Sequence, residues 1–399
     1  MTLQHIAQFN DTCDWITAPI RRIIFNPYGP ERVLLTRDDT VMLFLDKDMD
    51  AIKLRYFRQL HISCGAFRPW TGNELAVGGA GGICLWYQGD MEMPHELYPF
   101  WISLQNEEDF VLNLQWLRHG HHFACALLYA RCIQLWQPET LQVMQEIQMR
   151  YADSFLWALS YQPDIEELFL FLNTDKDNSD DDNNDNNHED DSTNDYDDDN
   201  DMDLIGSWHY DSFQDWEVQI TGTQILQSAC WTTLGHFLFV ARNCCKVFSC
   251  TPHAEHGIFL NPREEWSVEI AIDLSFIEID GLRYNCSEPQ ALSIDPCNIH
   301  VAILLKRQPY LLLCLHHADF GCQIRLTPLQ VIQVIGAHPC FNIYPTCCTF
   351  AADDDVDNMD VTDNDDEQWE QMKYSLFIGW SSGYVQQVTL GDTDAEETR

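Results

Sequence analysis

Three observations predict an all-β fold built from repeated sheets in this 399-residue sequence. The first lies in residues 62–86. Ile62, Cys64 and Ala66 alternate on one face of a strand, Pro69 to Gly72 make a turn, and Leu75 to Val77 open a second strand; Gly78 to Gly82 turn the chain back, and Ile83 to Trp86 form a third strand. The second is recurrence. The same order of features stands in residues 20–46, with turns at Asn26-Pro27 and Asp38-Asp39, and in 111–136, with a turn at His119-Gly120. The third is spacing, since the aromatic strand ends Phe44, Trp86 and Trp136 stand 42 and 50 residues apart, the period of a four-stranded propeller blade with loops of variable length. Seven blades of about 40–45 residues need roughly 300 residues. The sequence therefore predicts one seven-bladed β-propeller over residues 1–390, two acidic loop insertions within it, and a short tail at 391–399.

The remaining elements follow in order. Leu3 to Phe9 alternates weakly and is expected to supply an outer strand to the last blade, closing the ring. Between Trp86 and Phe110 a loop with Pro, Gly and acidic residues leads to an outer strand around Trp101 to Leu104. The fourth repeat starts at Ser154, turns at Gln162-Pro163-Asp164, and is then interrupted at 175–203 by 14 Asp, one Glu and one Lys. Such a run has too little apolar surface to offset the entropy of ordering, so it reads as a disordered insert between two strands of blade 4. The strand resumes at Leu204, with Trp208 in the place of Trp136. The fifth repeat covers 224–250 with a turn at Leu234-Gly235, and residues 270–279 read as an edge strand. The sixth covers 288–315, with Asp295-Pro296 in its first turn. The seventh begins near Thr346, is cut at 353–370 by eight Asp and two Glu, again read as disordered, and finishes at 375–390.

Composition excludes several function classes. The net charge of −41 repels phosphates and argues against direct nucleic-acid binding, while favouring basic protein partners such as histones, ribosomal proteins or basic transport cargo. Residues 301–315 are the best candidate for a membrane span and are broken by Lys306, Arg307 and Pro309, so no span is expected. The N-terminal residues lack the basic start and apolar run of a secretory signal, which points to the cytosol or nucleus. The 16 cysteines then read as reduced structural thiols, several of them inside strand patterns (Cys64, Cys84, Cys125, Cys132). The pairs Cys244-Cys245 and Cys347-Cys348 lack metal or redox spacing, and the sequons at Asn10 and Asn285 carry no meaning in that compartment.

Catalysis is not expected. Gly78 to Gly82 lies between strands instead of opening a helix, so it reads as a hairpin turn and not as a phosphate loop. His119, His121 and His122 read as a solvated turn in preference to a metal site. The acidic runs lack the glycine and terminal glutamate of an EF-hand loop. The sequence assigns no catalytic, cofactor-binding or metal-binding residue and no cofactor, and it leaves the partner-binding residues unassigned.

The repeats, with aromatic strand ends but without the Gly-His and Trp-Asp pairs, resemble degenerate WD40 repeats. Further resemblance rests on IAQFNDTCDW leading into FNPYGPERVLLTRDDTVMLF at the first blade, FRPWTGNELAVGGAGGICLW at the second, DPCNIHVAILLKRQPYLLL at the sixth, and above all SLFIGWSSGYVQQVTL at the seventh. These segments are similar to the Aladin family of WD-repeat nucleoporins, over most of the chain outside the acidic runs. The resemblance implies a non-catalytic scaffold at the nuclear pore complex and nuclear envelope that supports nuclear protein import, with a further role at the mitotic spindle. It implies nucleoporin partners, a transmembrane nucleoporin among them, and a monomeric propeller within a larger complex. Family members carry a longer region before the propeller and a tail after it, and acidic runs are no hallmark of theirs. A diverged member lacking both regions, with altered partners, is therefore the expectation. The alternative is an acidic WD40 adaptor or chaperone for basic proteins such as histones; a ubiquitin-ligase substrate receptor is a third reading that no residue argues for.

Overall fold

The computed structural model describes residues 18–26, 29–45, 51–69, 74–88, 97–117, 120–130, 132–148, 154–162, 167–174, 202–209, 218–221, 226–232, 237–241, 243–251, 267–318, 324–334, 343–352 and 374–390. Short apolar runs separated by tight turns fold these residues into seven antiparallel sheets in chain order. Blades 1 to 6 each have four strands hydrogen-bonded in sequence order, and blade 7 has three among the described residues. The first strands of the blades are Ile20–Phe25, Leu60–Phe67, Val111–Trp116, Ser154–Gln162, Leu226–Trp231, Pro289–Ile294 and Pro345–Ala352. Each touches the first strand of the next blade, and Pro345–Ala352 touches Ile20–Phe25. These contacts close a ring around a central channel. An extra hairpin, Ile277–Ile279 with Leu282–Tyr284, lies between blades 5 and 6.

The core sits between blades. Val33, Leu35, Val41 and Leu43 of blade 1 pack on Ile62, Leu75, Val77 and Trp86 of blade 2, and the opposite face of blade 2 packs through Cys64, Ala76 and Ile83 on Val111, Phe123 and Cys125 of blade 3. A strand lying between two neighbours is apolar on both faces, which explains fully buried second strands such as Arg32–Thr36, Phe123–Leu127 and His300–Leu305. At the seam between the last blade and the first, Ile20, Leu34, Met42 and Phe44 meet Ala351, Phe377 and Val385. The Phe25 and Phe377 rings lie 4.6 Å apart between centroids.

Every first strand departs from regular pairing near its start, with register shifts in all seven blades. A bulge adds a residue, bends the strand and increases its twist. In blades 2 and 7 the irregular stretch holds a hydroxyl with two uses: Ser63 donates to the Val111 carbonyl of blade 3 and the Gly78 carbonyl of its own blade, and Thr346 donates to the Ile20 carbonyl of blade 1 and to Gly379. Carboxylates make further ties on the same side. Asp109 accepts from the backbone of Tyr129 and Ala130, Asp39 from Ile62, and Glu288 from Asn243.

Several expectations are corrected in detail. Gly78 and Gly79 are not part of a turn but belong to strand Leu75–Ala80, and the turn rests on Gly81 at φ 73°. The reason is close approach: a Cβ on Gly79 would meet the Leu60 carbonyl oxygen at 2.5 Å, and one on Gly78 would meet Val111 of the next blade at 2.6 Å. The strand in blade 4 resumes at Met202, two residues before Leu204, with Met202 opposite Thr221 and Asp203 opposite Ile220. Residues 270–279 are divided between the outer strand Ser267–Asp273 of blade 5 and the extra hairpin. The predicted strand at Leu3 to Phe9, residues 175–201 and 353–370 of the acidic runs, and the tail 391–399 lie outside the described residues. Among the described residues no helix is long and apolar enough to cross a membrane.

Twelve of the described cysteines are free thiols, and burial pushes those of Cys84, Cys132, Cys230 and Cys347 up to about 12. At pH 8 these thiols should react slowly with a thiol-specific chromogenic disulfide in native protein and at once in urea; equal rates would contradict the packing. The closure seam supplies a second expectation. A Cβ on Gly379 would lie 2.6 Å from the Cys347 Sγ and 2.9 Å from the Ile20 Cβ, so Gly379→Ala should lower stability by about 1–3 kcal/mol, measured by urea denaturation.

Candidate partner-binding cleft

Arg68 follows the first strand of blade 2, where its backbone N–H closes the turn onto the Glu74 carbonyl at 2.8 Å. Its side chain crosses to blade 3. Nε donates to the Gly120 carbonyl at 2.6 Å, one terminal nitrogen donates to Glu74 at 2.9 Å, and the other to Glu139. The guanidinium stands 5.2 Å from the centre of the Trp116 ring, and the Trp116 indole N–H donates to the Ala66 carbonyl at 3.1 Å. One planar cation thus fastens two blades through both carboxylates and an aromatic face. Burial pushes the Glu139 carboxyl up, but its backbone hydrogen bond and the Arg68 guanidinium outweigh this and hold it below its usual range.

This clamp forms one wall of a cleft of about 260 Å³, whose other walls include Trp86, Tyr87, Phe100 and Leu141. Tyr87 and Phe100 are partly exposed, and Tyr98 stands beside Tyr87 with ring centroids 6.2 Å apart. Small-molecule sites occupy roughly 300–1,000 Å³. A smaller, open, aromatic cleft suits one or two side chains of a protein partner, and an exposed Tyr beside a fixed Arg pairs two residue types enriched where protein interfaces bind most strongly.

Strand direction divides the remaining surface into two faces. Because every first strand runs the same way around the ring, connections from first to second and from third to fourth strands leave one face; those from second to third strands and from blade to blade leave the other. By sequence, the connections of the first face carry twenty-nine Asp and Glu against five Lys and Arg. Those of the second carry twenty-three Asp and Glu against ten Lys and Arg, fourteen and one of these in 175–201. The strand ends that bracket the two acidic runs fall on opposite faces: Thr174 and Met202 belong to the second, Ala352 and Tyr374 to the first.

Among the described residues, those singled out in the sequence do not assemble into a chemical centre. His121 is exposed, and the His122 imidazole is held below its usual range by burial and by His121; His119 lies outside the described residues. Among the described residues no group of three His, Cys, Asp or Glu side chains has a metal-binding arrangement. Sequence reasoning missed Arg68, because its partners at Glu74, Gly120 and Glu139 are 6, 52 and 71 residues away. Its only local signal was a basic residue opening a turn between apolar strands.

No protein-family model matches the chain. Among solved structures it is similar to the β-propeller domain of Cps50 (Swd1) from Myceliophteria thermophila, with a TM-score of 0.58 and 12% identity over 94% of this chain and 98% of that one. The chain has the β-propeller fold. At that identity the likeness extends to the fold alone.

Arg68→Ala should remove the clamp, lowering stability by about 1–3 kcal/mol and shifting Trp116 emission to the red. Since the Glu139 pKa is depressed in the folded protein, its contribution is present above the ordinary glutamate range and is lost as pH falls through the lowered value. An acid-unfolding titration should therefore show a smaller loss of stability in Arg68→Ala than in the parent over that window.

Proposed function

We propose that this chain is a non-catalytic protein-binding scaffold of the nuclear pore, placed at the nuclear envelope and supporting nuclear protein import, with proteins as its partners. The observation that carries the scaffold reading is the closed ring of seven sheets, a rigid disc that presents loops on two faces and an aromatic cleft between blades 2 and 3 at the first. A rigid scaffold with variable loops allows several partners to be held at once. The assignment to the pore rests on the motif resemblance to WD-repeat nucleoporins in blades 1, 2, 6 and 7.

A second reading is favoured by the net charge of −41 and by the acidic runs at 175–203 and 353–370. Such a charge attracts basic proteins in a salt-dependent way and fits an adaptor or chaperone for them. One experiment separates the two. A fluorescently tagged full-length chain is followed in interphase cells beside a version lacking residues 175–203. A nuclear rim in both is the result expected of a pore scaffold, because the propeller surface then does the docking. A diffuse or chromatin-associated signal that changes with the deletion overturns that reading in favour of the acidic adaptor.

A further inference from the structure

The wall of the channel has a composition unlike the rest of the chain. The seven first strands contain no Asp or Glu, in a protein with 63 acidic residues, and their only Lys or Arg residues are Arg21 and Arg22. Both stand at the start of the first strand of blade 1, where its register with Arg32–Thr36 slips between Ile20 and Arg22. The bulge decides where these side chains go. In a regular strand Ile20 and Arg22 would share a face, and Ile20 is completely buried; the extra residue lets Ile20 and Ile23 both enter the core while Arg21 and Arg22 both stay outside it.

The surroundings place these guanidinium groups at the channel mouth. The charge of Arg22 is felt at Cys64 in blade 2 and at Cys347 in blade 7, the two blades that flank blade 1. Arg37, in the next turn of the same blade and bound through its backbone N–H to Pro19, lies close enough to act on Arg21, as do Arg22 and Asp39. Burial, with these two arginines, holds the Arg21 guanidinium below its usual value despite Asp39. The Asp39 carboxylate already accepts the Ile62 backbone N–H, and Asp38 is paired with Arg55. Among the described residues, the side chains of Arg21, Arg22 and Arg37 form no ion pair or hydrogen bond.

We propose that Arg21, Arg22 and Arg37 form an oxyanion site at the mouth of the channel that takes a phosphate-bearing small molecule. The guanidinium fork matches phosphate oxygens in pairs, and three forks around one group call for a ligand with several charges. Neighbouring hydroxyls do not compete for this role, since Ser63 and Thr346 already donate to carbonyls between blades. The acid-free wall keeps carboxylate repulsion out of the channel itself.

The test uses the full chain and inorganic tripolyphosphate, with sodium chloride and sodium citrate at matched ionic strength, and reads thermal stability against concentration. A saturable rise in melting temperature with tripolyphosphate, exceeding that with either control, is expected. Arg22→Gln changes an exposed residue and should weaken the apparent affinity at least about tenfold, the effect of losing one charge-assisted contact. The double variant Arg21→Gln/Arg22→Gln should abolish the rise, whereas Arg283→Gln, in the hairpin between blades 5 and 6, should leave it intact. No rise in the parent, an equal rise with citrate, or an undiminished rise in Arg22→Gln would each overturn the proposal.

Discussion

Everything in this structure depends on the seam where the last blade meets the first. A sheet apolar on both faces has no stable existence alone, so each blade relies on two neighbours, and only closure gives the first and last blades their second neighbour. The seam is made by Ile20, Met42 and Phe44 against Ala351, Phe377 and Val385, and by Thr346, which reaches across 326 positions of sequence to the Ile20 carbonyl. Gly379 allows the approach because no side chain stands between the Cys347 thiol and Ile20. Among the described residues the seam is a packed interface between two sheets, with the last sheet built from its own three strands.

Closure also shapes the channel. Seven first strands must converge near the axis, and the irregularity near the start of each supplies the local bend and twist. The same device frees side chains from strict alternation. It releases Arg21 and Arg22 from a core that would otherwise claim one of them, and it positions Ser63 and Thr346 to bind two carbonyls each. A feature required by geometry thereby becomes a source of chemistry at the channel mouth.

The charge distribution follows from strand direction. Because all first strands run alike, a loop's place in the strand order decides its face, and by sequence both classes of connection carry many acidic residues. A basic partner is favoured at either face, and the arginines of blade 1 stand at the second. The cleft between blades 2 and 3 opens among the connections of the first face, where an aromatic wall and the Arg68 clamp add short-range packing to long-range attraction.

The sequence by itself determined the number of sheets, most of their strands and the positions of the acidic runs, because period-2 apolar alternation, turn residues and aromatic strand ends are local signals. Strands as far apart as Ile62 and Val385 were legible for that reason. It did not determine which glycines turn the chain: Gly78 and Gly79 look like turn residues locally, and only the approach of Leu60 and Val111 explains them as strand positions. Nor did it single out Arg68, Arg22 or Thr346. Each acts through partners on another blade, and the pairing of blades, with the register slips that aim these side chains, is settled only when the ring closes.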